Sequence, residues 1–187
     1  MKKGLILVVI IVLLGLWGIT SYNGLITKKE SIDSAQADID TALQRRADLI
    51  PNLVNTVKGY MSYEQGVIKE ITTAREKMVS AGSTSERIEA DQQLEGALSR
   101  LMVIVENYPE LKADLNFINL QDELSGSENR IATSRKDYND TVKDYNTSIK
   151  RFPGIIMAKL FGFDEAGYFD ADPEAKKVPT VDFGVWK

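Results

Sequence analysis

Between Gly4 and Ile19 the chain carries no charge and, apart from its glycines and Trp17, only large aliphatic side chains. Counted on to Tyr22 the run has 19 residues, which as an α-helix spans roughly 28 Å, close to the hydrocarbon thickness of a bilayer. Lys2 and Lys3 precede it, and Trp17 and Tyr22 stand near its far end, where amphipathic rings settle at a lipid–water boundary. Residues 1–22 are therefore expected to form a transmembrane anchor, with everything beyond held against a membrane. A cleaved signal peptide also pairs a basic tip with an apolar core, but that core is about 7–15 residues long and ends at an Ala-x-Ala-like site. This run is longer, Gly18-Ile19-Thr20 is a poor substitute for such a site, and the lack of Cys excludes a lipoprotein anchor. Lys28 and Lys29 compete with Lys2 and Lys3 for the cytoplasmic side. The balance leans towards an exported carboxy-terminal domain.

Of 23 basic residues, Lys2 and Lys3 lie before the apolar run, leaving 21 against 27 acidic ones, a net of −6. That excess disfavours nucleic acid and anionic head groups as partners of the domain as a whole. Zero Cys removes disulfides, thiolate nucleophiles and thiolate metal sites. Zero His removes the commonest general acid–base and metal ligand. Only 5 Pro, among many Ala, Leu, Glu, Lys, Gln and Ile, point to an all-α body.

Four apolar stripes at helical spacing follow the anchor. The first runs over Leu25, Ile32, Ala35, Ile39, Ala42, Leu43, Arg46 and Leu49, with only Gly24 to interrupt its continuity with the anchor. Asp48 is a good N-cap and Pro51 is tolerated in a first helical turn, which places a boundary near Asp48. Against that, the seven-residue series from Leu25 through Arg46 and Leu53 to Ala74 keeps its phase across Pro51, so one long helix kinked there stays open. The second stripe includes Leu53, Val57, Val67, Ile71 and Met78; Gly82-Ser83 with Glu86 then makes a stop and a capping-box restart. The third runs from about Glu86 to Asn107, and Tyr108-Pro109 ends it. The fourth, from Phe117 to Ser148, steps by three and four through Ile131, Tyr138 and Tyr145. Four helices with short connections predict an antiparallel up-and-down four-helix bundle over 23–151.

An even number of antiparallel helices returns the chain to the membrane, so the end of the fourth should lie beside Tyr22-Asn23. Tyr138-Asn139 and Tyr145-Asn146 supply residues for a seam there. Residues 152–187 then form an apolar membrane-proximal segment and an extended acidic tail. Its 155–163 part, with Phe161 and Phe163, either covers the end of the bundle or lies in the lipid interface. Tyr168-Phe169 and Val181-Asp182-Phe183 are the tail's anchors.

No catalytic constellation stands out. Two-metal bundles need Glu-x-x-His pairs, and no Ser-x-x-Lys, Gly-x-x-x-x-Gly-Lys or Gly-x-Gly-x-x-Gly is present. No catalytic residue, cofactor or metal is expected. Arg45 and Arg46 invite a phosphate-binding reading; the plainer one pairs Arg46, on the apolar stripe, with an internal carboxylate such as Glu128 or Asp122.

Tyr22-Asn23, Arg45-Arg46-x-Asp48-Leu49-Ile50-Pro51-Asn52-Leu53-Val54 and Val57-Lys58-Gly59-Tyr60 resemble the bacterial LemA family. So do Glu106-Asn107-Tyr108-Pro109, Glu128-Asn129-Arg130-Ile131, the two later Tyr-Asn pairs and Phe161-Gly162-Phe163. The resemblance implies a single-pass protein of the bacterial inner membrane bearing a helical bundle, and no accepted catalytic residues. The expected function is a non-enzymatic membrane-anchored scaffold, its partners the lipid bilayer and a second copy or another membrane protein. The alternative is an envelope sensor that passes a helix movement through the anchor. The candidate interaction residues are Tyr22, Asn23, Arg45, Arg46, Asp48, Pro51, Asn52, Tyr145, Asn146, Phe161 and Phe163.

Overall fold

A computed structural model describes residues 2–61 and 63–169, with side chains from Gly4 onward. Its first element, α1, is a single helix of 57 residues, Lys2–Lys58. The boundary expected near Asp48 is absent: the helix runs through Pro51. A proline inside a helix leaves the carbonyl four residues earlier without its amide partner. That carbonyl is Ala47's, and Arg75 Nε, from α2 (Gln65–Ser80), donates to it at 3.0 Å. The hydrogen bond Pro51 forfeits is replaced by one that ties a second helix onto the first. Asp48 is exposed and accepts from Gln44 Nε2 at 2.9 Å, so it caps no helix.

Along α1 the seven-residue series Leu25, Ile32, Ile39, Arg46 and Leu53 is buried throughout. The break comes at Gly59, where Tyr60 and Met61 amides close turns onto the Val57 carbonyl. After α2, Ser83 caps α3 (Thr84–Val105) by accepting from the Glu86 amide, while Glu86 Oε2 reaches back to the Gly82 amide at 2.8 Å. A one-turn helix, α4 (Pro109–Lys112), leads into α5 (Leu115–Lys150). Asp114 starts α5: its Oδ1 accepts from the Asn116 and Phe117 amides, and its Oδ2 from Tyr60 Oη at 2.8 Å. Those bonds hold its carboxyl below the usual carboxylate range, the Tyr60 hydroxyl contributing most.

α1 is the common neighbour of α2, α3, α5 and α6 (Gly154–Phe161). It runs antiparallel to α5, since Tyr60 meets Asp114 at one end, Arg45 meets Glu123 midway, and Tyr22 meets Phe161 at the other. α2 and α3 are shorter and cover only the half of α1 beyond about Gln36. There Gln36 Nε2 donates to Thr84 Oγ1, and the Thr84 hydroxyl donates to Asp40, each at 3.0 Å. Ile39, Leu43, Ile50 and Leu53 of α1, Ile71 of α2, Leu94 and Leu101 of α3 and Phe117 of α5 are wholly buried in this half; each such side chain stabilises the fold by about 1.5–3 kcal/mol.

The first turns of α1 pack on almost nothing. Leu5 to Ile19 expose their aliphatic side chains by 49% to 69%, and the helix is long and apolar enough there to cross a membrane. At the near end of α5 the chain turns sharply into α6. A side chain at Gly154 would collide with the Ser148 carbonyl and meet Leu25 Cδ2 at 3.8 Å, so glycine permits α6 to fold back against α1 and α5.

Candidate functional site

Where the apolar part of α1 gives way to the charged part, aromatic rings gather. Tyr22, half-buried, lies 4.8 Å from Phe161 and 5.7 Å from Phe163, ring centre to ring centre. After Gly162, whose φ of 72° needs glycine, residues 163–169 leave helical conformation and run along α5. Two asparagines hold them. Asn146 donates through Nδ2 to the Ala166 carbonyl and accepts through Oδ1 from the Ala166 amide, both at 2.9 Å. Asn139 does the same with Phe169, again at 2.9 Å. The preceding tyrosines add a hydroxyl each: Tyr145 to the Asp164 carbonyl at 3.0 Å and Tyr138 to that of Gly167 at 3.1 Å. Burial raises both phenols above their ordinary range, with Asp33 adding to the effect at Tyr138 and Asp164 at Tyr145.

Two different repeats come into step here. Seven helical residues rise roughly 10.5 Å, and three extended residues advance roughly 10 Å. A Tyr-Asn pair every seven residues of α5 therefore meets equivalent backbone groups every three residues of the antiparallel strap. Asn23, expected in a seam with these asparagines, is exposed; its carbonyl accepts from Thr27. Tyr168 is half-exposed, whereas the Phe169 ring lies 4.6 Å from that of Tyr138, tilted by 46°. Val181-Asp182-Phe183 lies outside the described residues.

A second constellation sits at the centre of the long half. Arg46 is 2% exposed, and its Nη1 stands 3.0 Å from both carboxylate oxygens of Asp91 on α3, itself buried. Of the carboxylates expected for it, Glu128 is more distant at 3.9 Å from Nη2, and Asp122 is exposed. Asp91, being charged, does not count towards the apolar stripe of α3. It stands three residues from both Ile88 and Leu94, which is the signal that reveals it. A cleft of about 180 Å³ opens beside the pair, between α3 and α5, walled by Leu53, Leu98, Leu101, Met102, Phe117 and Leu124. Exposed Glu95 and Glu128 also line it.

Burial pushes the Asp91 carboxyl up to about 6 from 3.8, against the pull of Arg46 and aided by Glu95 and Glu128. Because the folded state holds this proton more tightly than the unfolded chain, stability from this group falls as pH rises from about 4 to 6. The loss is on the order of 2–3 kcal/mol. Urea unfolding at the two ends of that window, compared with Asp91→Asn, isolates it: the substitution flattens this component of the pH dependence.

The remaining candidates are spread over the surface. Arg45 pairs with Glu123 at 3.0 Å with both side chains half-exposed, an arrangement worth about 0–1 kcal/mol. Pro51 and Asn52 face solvent, the Asn52 carbonyl accepting from Thr56 Oγ1 at 3.0 Å. The structure thus brings Tyr22 together with Phe161 and Phe163, and Tyr145 with Asn146 on the strap, whereas Arg45, Asp48, Pro51 and Asn52 are exposed along α1.

These observations define an all-helical protein whose amino-terminal helix is apolar enough to enter a membrane. Residues 35–183 match the model of the LemA family, and the chain belongs to that family. Magnetosome protein MamQ 2 of Paramagnetospirillum magneticum is 28% identical over 178 residues, covering 81% of this chain and 65% of its own length. Protein LemA of Metamycoplasma hominis is 25% identical over 151 residues, covering 80% and 68%. The chain spans just under two thirds of the length of the magnetosome relatives it matches.

Proposed function

We propose that this chain is a non-enzymatic scaffold of the bacterial cell membrane, crossing the bilayer once through residues 1–22 and presenting its helical body on the exported side. In this reading α1, α2, α3 and α5 make up an up-and-down four-helix bundle within 23–151, and residues 152–187 form the membrane-proximal segment and tail. The body serves as a rigid surface for a second copy or another membrane protein. The observation that carries the reading is the continuity of α1, which has an unburied apolar stretch and, without interruption, the central helix of the body. A hinge-free connection of this kind suits a scaffold, because it fixes the body's orientation to the bilayer.

The test is extraction followed by crosslinking of the full chain in native membranes. The account expects retention in the membrane through an alkaline wash, solubilisation only by detergent, and a discrete crosslinked assembly larger than one chain. Release by alkali, or a monomer at every crosslinker dose, overturns it. The sensor reading is favoured by the cleft between α3 and α5, since a ligand there would touch Arg46 and Leu53 on the anchor helix itself. Its mark is a melting temperature that rises with ligand concentration, following RT ln(1 + [L]/Kd).

A further inference from the structure

α6 lies beside the end of the apolar stretch of α1. Its Met157 Cε comes within 3.9 Å of the Cβ position of Gly18, and Phe152, just before it, stacks on Trp17 at 6.1 Å with a 28° interplanar angle. Gly154, Met157 and Ala158 turn inward and are buried. The other face carries Ile156 and Leu160, exposed by 45% and 69%. Phe152 just before the helix and Phe161 at its end, the latter on the inner face against Tyr22, are still exposed by 77% and 56%. Monomeric proteins rarely leave such a group of large apolar side chains in water. Arg151 and Lys159 border it, both exposed and neither paired with a carboxylate among the described residues, whereas Lys150 is held by Glu165 at 2.6 Å.

We infer that α6 is an in-plane membrane helix, its outer face seated at the boundary between head groups and acyl chains of the bilayer that α1 crosses. The inference rests on the reading of α1 as a membrane anchor. What selects lipid over a protein as the occupant is continuity: through the stacked rings of Trp17 and Phe152 the patch joins the apolar surface of residues 5–19. Trp17 stands near the end of that run, the depth at which indole rings collect. An apolar face flanked by Arg and Lys is also the composition by which interfacial helices bind. Two contacts, a spanning helix and a surface helix packed on it, remove the rotation and tilt that a lone spanning helix leaves free. The Tyr-Asn ladder, beginning one turn further on, then locks the strap to α5 and keeps α6 from peeling away.

The chain has no Cys, so single labels test this directly. Full-length Leu160→Cys, Phe152→Cys, Ile10→Cys and Tyr63→Cys are labelled with a fluorophore and reconstituted in phosphatidylcholine vesicles containing a minority of phosphatidylglycerol. Quenching is read with nitroxides placed shallow or deep in the lipid and with a water-soluble quencher. The expected result is shallow-lipid quenching at 160 and 152 several-fold above that at 63, deep quenching at 10, and aqueous quenching only at 63, which is 93% exposed at the opposite end. Aqueous quenching at 160 and 152 equal to that at 63, with 10 still deep, overturns the inference while sparing the anchor. Shielding at 160 and 152 from both water and lipid quenchers also overturns it, because a protein then covers the patch. Aqueous quenching at 10 removes the anchor itself.

Discussion

Arg46→Met lowers the stability of the folded chain by about 3–5 kcal/mol, the loss that follows when one partner of a buried ion pair is removed. The methionine fills most of the space, so the loss comes from charge and not from a void. Asp91 is left buried among Glu95 and Glu128, both of which already raise its pKa. Glu128, half-exposed and 3.9 Å from the guanidinium, has no compensating role once the guanidinium is gone. Arg46→Met combined with Asp91→Leu restores most of the stability, since two well-packed apolar groups avoid the desolvation that the charges incur. Urea unfolding of the full chain in detergent, followed by circular dichroism, measures both variants. A single substitution that costs under about 1 kcal/mol, a value typical of exposed pairs, contradicts a buried pair. A double variant no better than the single contradicts the pairing with Asp91.

Asn146→Ala frees the strap without unfolding the helices. The side chain is 4% exposed and makes two hydrogen bonds to one residue, and a buried amide of this kind is worth about 1–3 kcal/mol. Amide exchange at Ala166 should therefore accelerate about tenfold to a hundredfold, at roughly 1.4 kcal/mol per decade. Exchange in the middle of α5 stays unchanged. Asn146→Asp falls between, because a carboxylate still accepts from the Ala166 amide but donates nothing to its carbonyl. Asn139→Ala has a similar effect centred on Phe169. Unaltered exchange at Ala166 in Asn146→Ala would show that the strap is held by its aromatic contacts instead.

The stripes of α1 and α5 were legible because periodicity is local: Leu25, Ile32 and Ile39, or Phe117, Ile131 and Tyr138, announce their face by spacing alone. The capping box at Gly82–Glu86 was equally plain. Pro51 was ambiguous for a physical reason, since what lets a helix pass through it is a side chain supplied from elsewhere. Arg75 fills that role at Ala47, and no signal near Pro51 points to it. The strap was hidden differently. Both Tyr-Asn pairs were visible, but their partners are backbone groups of Ala166 and Phe169, which carry no side-chain signature; only the match of helical and extended spacing links them. Asp91 was within reach of periodicity and required only that a charged residue be counted on an apolar stripe.

One helix runs from the apolar amino-terminal stretch through Pro51 to Lys58 and carries the body with it. Pulsed electron resonance between spin labels at Lys29→Cys and Lys58→Cys, in the full chain embedded in vesicles, measures the half of that helix that contains Pro51. Twenty-nine helical residues separate the labelled backbone positions by roughly 43 Å. A single narrow distribution near that value is the predicted result, whereas a broad distribution, or one centred many ångströms shorter, means the chain bends or breaks at Pro51 and contradicts the account.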